Sequence, residues 1–126
     1  MNEVLEQALD LVLRDIRSTG VPEPDVRDDD WADGEHSASA FLWSRDGSGV
    51  GVRVDLAASE ADRVAQVADQ IQEWVIQELW GHAATNWPRC PDHPDGHPLQ
   101  ASTRDRSAVW VCPAEGIPVS PVGSLR

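Results

Sequence analysis

The residues of this chain that are best suited to chemistry are two cysteines and two histidines in its C-terminal third. Cys90 and His93 are separated by two residues, a spacing that lets a tight turn aim both side chains at one point. His97 follows shortly after them, and Cys112 ends a predicted strand. Two thiolates and two neutral imidazoles satisfy tetrahedral Zn²⁺ and leave no net charge. The pattern therefore predicts a zinc ion held by these four side chains.

The sequence leaves the fourth ligand open. His97 is the first choice because imidazole is a good ligand for structural zinc; Glu115 is the second and His82 the third. If His97 does not ligate, its position could hold a water molecule, with Asp92, Asp95 or Glu115 as a base. A closed structural site is favoured over a catalytic one because four candidate ligands are present and no motif such as HExxH is found.

The two cysteine-containing segments, CPDH at 90–93 and CPAEG at 112–116, resemble the paired knuckles of a zinc ribbon. A zinc ribbon normally has cysteine at the positions held here by His93 and Glu115. The tail is also similar to short actinobacterial proteins with the pattern CPxH…HPL…WVCP, which here covers residues 90–93, 97–99 and 110–113. The resemblance implies a zinc-stabilised tail and no particular activity.

Elements upstream of the cluster must form the body that supports it. From Glu3 to Arg17 apolar residues recur every three or four positions, which predicts a helix with one buried face that ends at Gly20. Residues 37–45 and 50–56, joined by the turn DGSG, predict a β-hairpin. Val26 could begin a short edge strand beside it.

A second, longer helix is predicted to cover the hairpin. In the second arm of the hairpin alternate positions are valine, which places Val50, Val52 and Val54 on one face. The covering helix should begin near Ser59 in a capping arrangement and end at Gly81. From the helical spacing, Trp74 and Trp80 are expected to widen its apolar stripe.

Beyond Gly81 the chain is rich in proline, and only 108–111 and 117–122 have the pattern of strands, which predicts a second hairpin turning at 113–116. The expected class is α+β, in one domain that comprises an acidic body (1–80) and a proline-rich tail (81–126). Because the tail buries little apolar surface by itself, a metal ion would fix its shape.

The formal net charge of −12 lies in residues 1–80, which hold eighteen carboxylates and six arginines, whereas residues 81–126 hold four of each. Such a surface repels phosphate backbones and anionic lipid, so nucleic-acid and membrane binding are disfavoured and a protein partner with a basic surface is favoured. Candidate contact residues form one acidic loop with a single aromatic side chain: Asp28, Asp29, Asp30, Trp31 and Asp33. The alternative interpretation is a solvated connection.

The N-terminal residues carry Glu3, Glu6 and Asp10 where a signal peptide would be basic, so we expect a cytoplasmic protein. A reducing compartment favours metal ligation over a disulfide between Cys90 and Cys112. The basic residues are all arginine, which is typical of a GC-rich bacterium.

The sequence favours a non-enzymatic interaction or adaptor protein whose tail is stabilised by structural zinc. No P-loop, GxGxxG or GxSxG motif is present, so an enzyme is less favoured. Two alternatives stay open: a metal-dependent hydrolase with an open zinc site, and an acidic nucleic-acid mimic that inhibits a basic partner.

Overall fold

Two helices and eight strands account for the regular structure of the chain in a computed structural model that describes residues 1–126. The helices are α1 (Glu3–Thr19) and α2 (Glu60–Leu79), and the strands are β1 (Asp25–Asp28), β2 (Ser37–Trp43), β3 (Gly49–Asp55), β4 (Arg89–Cys90), β5 (His93–Pro98), β6 (Gln100–Arg104), β7 (Ser107–Cys112) and β8 (Ile117–Pro121). The strands form three antiparallel sheets in the orders β1-β2-β3, β4-β5 and β6-β7-β8. The predicted α+β class is confirmed.

Both predicted helices are present, with local capping at their ends. The Asn2 side chain accepts hydrogen bonds from the first free N–H groups of α1, and Gly20, at φ 74°, ends the helix in the left-handed conformation. The hydroxyl of Ser59 accepts a bond from the N–H of Asp62 at the start of α2. Neither helix contains an apolar stretch of the length and composition that a membrane crossing requires.

Helix α2 is the central element of the fold, because it packs against α1, β3, β6 and β7. Its end differs from the prediction. The helix stops at Leu79, and Trp80 adopts an extended conformation at the C-cap. Trp74 is buried as expected, whereas Trp80 is 74% exposed, so Trp80 does not widen the buried face.

The first sheet is the predicted hairpin extended by β1, which contains Val26. Val52 and Val54 are fully buried, as the alternation predicts. The prediction is wrong for Val50, which is 49% exposed although it lies on the same side of β3. Val50 lies beside a groove between β3 and α2, so the helix does not cover it.

The predicted tail hairpin is confirmed as β7 and β8, and a third strand, β6, pairs with β7 from the other side. Strand β6 reads QASTR and has no apolar alternation, which is why the sequence pattern did not reveal it. The main buried cluster includes body residues together with Trp87, Leu99, Trp110 and Val122 of the tail. The tail is therefore packed on the helices as well as on itself.

Candidate metal centre

A tight hairpin positions the first two candidate ligands. Strand β4 ends at Cys90 and β5 begins at His93, and these two residues are paired across the turn formed by Pro91 and Asp92. His97 lies further along β5. One short β-ribbon thus carries three of the four candidate side chains.

The ends of this ribbon are fastened to α2 by a buried glutamine. The side-chain amide of Gln72 donates hydrogen bonds to the carbonyl oxygens of Trp87 (3.1 Å) and Leu99 (2.6 Å), just before and just after the ribbon. The N–H of Leu99 also donates to the carbonyl of Pro88, at 2.7 Å. Because Gln72 is buried, these bonds hold the ribbon against the helix without competition from water. Gln72 was not predictable from the sequence, because a single glutamine in an apolar helical stripe has no distinguishing pattern.

The fourth candidate side chain comes from a different sheet. Cys112 is the last residue of β7, where the turn to β8 begins, and its carbonyl accepts a hydrogen bond from the N–H of Gly116 at 2.7 Å. Gly116 has a φ of 70°, which suits glycine in such a turn. The convergence of Cys112 on the ribbon therefore depends on how the third sheet packs.

The four side chains meet at one point, since one ligand atom from each of Cys90, His93, His97 and Cys112 lies within 4.8 Å of all the others. The Nδ1 atom of His93 is 3.5 Å from the Sγ of Cys90 and 3.7 Å from the Sγ of Cys112. The Nε2 atom of His97 is 3.9 Å from the Sγ of Cys112. The usual zinc–sulfur and zinc–nitrogen bond lengths give a tetrahedral S–N edge of about 3.6 Å. These three separations thus suit ligands of one small cation.

A hydrogen bond outside the cluster orients the ring of His97. Its Nδ1 lies 3.2 Å from the carbonyl oxygen of Pro98, which can only accept a hydrogen bond. The proton of a neutral ring is therefore assigned to Nδ1, which leaves the lone pair on Nε2 facing the sulfur of Cys112. An outer hydrogen bond of this kind is the usual way in which a metal-binding histidine is oriented.

Burial divides the cluster into an inner and an outer half. Cys90 and Cys112 are almost fully buried and both are free thiols, whereas His93 and His97 are half-buried. The sulfurs therefore lie against the core of the tail and the imidazoles lie toward the surface. A pair of buried, unlinked cysteines is a soft-ligand arrangement that favours a metal such as zinc.

The alternative ligands lie elsewhere. Glu115 is exposed in the turn between β7 and β8, and His82 is exposed just after α2; neither belongs to the cluster. Asp92 and Asp95, the candidate bases of an open site, are exposed on the ribbon and also lie outside the ligand group. With both histidines in the cluster, His97 is the fourth side chain that the structure brings together with the other three.

The acidic loop with its tryptophan has internal structure of its own. Asp29 accepts a hydrogen bond from the N–H of Trp31, and Asp33 accepts two from the N–H and hydroxyl of Ser39. Asp28 lies 3.5 Å from the N-terminal amine. Only Asp30, which is exposed, has no such side-chain contact in this loop. Two of the four carboxylates therefore shape the loop as well as charge it.

Trp31 lies on the outer face of the first sheet. Its indole Nε1 donates a 2.9 Å hydrogen bond to the carbonyl of Ala40, and its ring lies so close to Gly51 that a Cβ there would be 2.3 Å from Cε2. Trp31 is still 48% exposed, and the neighbouring Trp43 is 38% exposed. The structure thus holds an aromatic surface in a fixed position beside the acidic loop.

Fold and site together define a small α+β protein with a Cys₂His₂ cluster that could hold a metal ion. Comparisons with protein-family models, with curated proteins and with solved structures find no match to this chain. The resemblance of the tail to a zinc ribbon stays a prediction.

Proposed function

We propose that this protein is a non-enzymatic interaction protein whose tail is stabilised by one structural Zn²⁺ bound to Cys90, His93, His97 and Cys112. The observation that carries the metal assignment is the mutual approach of four ligand atoms within 4.8 Å, two of them buried thiol sulfurs. Zinc is favoured over harder cations because thiolate and imidazole are its preferred structural ligands.

A structural role is supported by the completeness of the ligand set. Four protein ligands fill the positions of tetrahedral zinc, and a catalytic zinc normally keeps one position for water. The ion would join the ribbon β4-β5 to the end of β7, two segments that are connected at this point only through side chains. Metal binding would then contribute directly to the stability of the tail.

An interaction role is supported by the charge and the exposed aromatic surface of the body. The body carries the whole net charge of −12, and three tryptophans, Trp31, Trp43 and Trp80, are 48%, 38% and 74% exposed. Exposed aromatic side chains are typical of protein contact surfaces. A basic protein surface is the partner that these charges favour.

Elemental analysis of protein purified without a histidine tag tests the metal assignment. We expect one zinc per chain, and a Co²⁺-substituted sample with the absorption of a thiolate-rich, four-coordinate site. The matched control is Cys112→Ser, which should lose the metal. Absence of any bound metal after refolding with Zn²⁺ would remove the zinc proposal. A five-coordinate cobalt spectrum with exchangeable water would instead favour the hydrolase.

The interaction role is tested by chemical crosslinking in cells that produce the protein, followed by mass spectrometry. We expect crosslinks from the body to a basic protein, lost when cells are lysed in high salt before crosslinking, because salt screens attraction between exposed charges. Crosslinks confined to the chain itself would contradict this role.

A further inference from the structure

Part of one sheet edge is left open in this protein. Strand β3 lies at the edge of the first sheet. At Arg53 the outward N–H and C=O groups are both bonded by the side-chain amide of Gln70, at 3.0 and 2.7 Å, and the N–H of Asp55 is bonded by Gln66 at 3.0 Å. Helix α2 thus closes the second half of the edge with two glutamine side chains.

The first half of the same edge has no such cover. Backbone N–H and C=O groups of alternate residues in a strand point to the same side, so those of Gly51 and Gly49 face outward as those of Arg53 do. No side chain forms a hydrogen bond with either glycine on that side. An exposed row of unpaired backbone groups is a template for another strand.

A groove lies between this open edge and the second half of α2. Its volume is about 510 Å³, and its lining includes Ser48, Val50, Glu73, Trp74, Gln77 and Glu78. The 49% exposure of Val50 arises here, so the groove offers an apolar contact beside the unpaired backbone. An extended peptide requires this combination, because its main chain pairs with the edge while alternate side chains enter pockets.

Trp74 lines the groove with a buried side chain whose polar group has no partner in the chain. The residue is only 5% exposed, and its indole Nε1–H has no hydrogen-bond acceptor in the protein. Buried donors without a partner are rare in folded proteins, and each calls for an explanation. A carbonyl oxygen of an added strand would supply the missing acceptor.

The charges of the groove select the partner. Glu73 and Glu78 are the ionisable side chains in its lining, and neither forms an ion pair within the chain. Glu78 accepts a hydrogen bond from the hydroxyl of Ser44, which leaves its charge uncompensated. A second copy of this chain has a net charge of −12 and would be repelled by the two glutamates. Arginine or lysine side chains of a different partner would be attracted.

We propose that the groove between β3 and α2 binds an extended, basic segment of another protein, which adds a strand to the open edge at Gly49 and Gly51. The proposal rests on the proposed interaction role and names the surface and the kind of partner. The added strand satisfies the free backbone groups and the Trp74 indole, and its basic side chains lie against Glu73 and Glu78.

The test uses the metal-loaded full chain and a labelled peptide of about six residues, the usual length of a strand, with alternating arginine and valine. Fluorescence anisotropy should detect binding that weakens as salt is raised, and hydrogen exchange at Gly49 and Gly51 should slow in the complex. A peptide with glutamate in place of arginine should not bind. Two further peptides are N-methylated on alternate residues, one on the arginines and the other on the valines. Only one of these two peptides should lose binding, because only one set of N–H groups faces strand β3.

Variants of the chain locate the binding. Glu73→Gln with Glu78→Gln should weaken binding at least tenfold, whereas the matched control Glu3→Gln with Glu6→Gln, which removes the same charge from α1, should leave it unchanged. Trp74→Phe, which keeps an aromatic ring and removes the N–H, should weaken binding about fivefold. Thermal unfolding of each variant shows that it is folded.

Several results would overturn the proposal: no binding to folded, zinc-containing protein, equal binding of the two peptides, or a dimer in sedimentation that protects Gly49 and Gly51 without peptide. Zinc content is measured on the same sample and by a different method. Failure of the groove would therefore leave the zinc assignment standing, and crosslinks from another part of the body to a basic protein would keep the interaction role without this groove.

Discussion

The Oδ2 atom of Asp15 accepts a 2.8 Å hydrogen bond from the indole Nε1 of Trp110, which lies 95 residues further along the chain. The same carboxylate accepts bonds from the N–H groups of Gly123 (2.7 Å) and Leu125 (3.0 Å). Asp15 is fully buried in α1, and all three partners are N–H donors. A buried carboxyl group supplied with three donors joins the first helix to β7 and to the C-terminal residues.

Replacing Asp15 by asparagine should destabilise the protein by about 3 kcal/mol, because a buried donor then meets the new amide group and loses its acceptor. Urea unfolding followed by tryptophan fluorescence measures the change in the free energy of unfolding. Asp10→Asn, at an exposed position of the same helix, is the control and should change stability by less than about 0.5 kcal/mol. Equal effects of the two substitutions would show that the three hydrogen bonds contribute little.

Removing the Gln72 amide should loosen the β4-β5 ribbon, which carries three of the four proposed metal ligands. Gln72→Met keeps the length of the side chain but leaves the carbonyls of Trp87 and Leu99 without their donor. We expect the free energy of unfolding to fall by about 2 kcal/mol. Metal affinity should fall about tenfold, as it does when other residues that position metal ligands without binding the metal are replaced. Titration against a chromophoric chelator and urea unfolding give the two values. Gln77→Met, at an exposed position of α2, should leave both values unchanged.

Two histidine substitutions test whether His97 or His82 is the fourth metal ligand. His97→Gln should lower zinc affinity more than about 100-fold. Loss of a group that only supports a ligand costs up to about 100-fold, and His97 is itself a proposed ligand. His82→Gln should have no effect, because His82 is exposed and lies outside the cluster. Competition with a chelator of known affinity measures both variants. If His82→Gln lost zinc and His97→Gln kept it, the ligand assignment would be wrong.

The contact between Trp31 and Gly51 can be measured with a double-mutant cycle. Gly51→Ala should destabilise the protein by about 1–3 kcal/mol, because the new Cβ would lie 2.3 Å from the Trp31 ring. In a Trp31→Ala background the same substitution should cost at least about 1 kcal/mol less, since the clash is gone. Urea unfolding of the four proteins yields the coupling energy. A coupling near zero would contradict the close packing of ring and strand.

Local patterns were sufficient to predict the helices, the first hairpin and the pair β7-β8. Helical spacing, the Gly20 stop, and the alternation of Val52 and Val54 act over a few residues, and the structure follows them. The spacing of Cys90 and His93 is also a local pattern, and the tight turn that it predicts is present. Cysteine and histidine also have few common roles, so their concentration in the tail indicated a metal-binding cluster before any fold was known.

What the local patterns could not determine depends on contacts between distant segments. Whether Cys112 reaches His93, whether a glutamine such as Gln72 faces a carbonyl, and whether Val50 is covered are decided by how β7, α2 and β3 pack. Asp15 is the clearest example. Its position in the helical pattern is ordinary, and its burial is possible only because Trp110 and the C-terminal residues supply hydrogen-bond donors. The sequence by itself determined which residues could form helices, strands and a metal site. The tertiary structure alone decided which of them meet, because packing energy is shared among segments far apart in the chain.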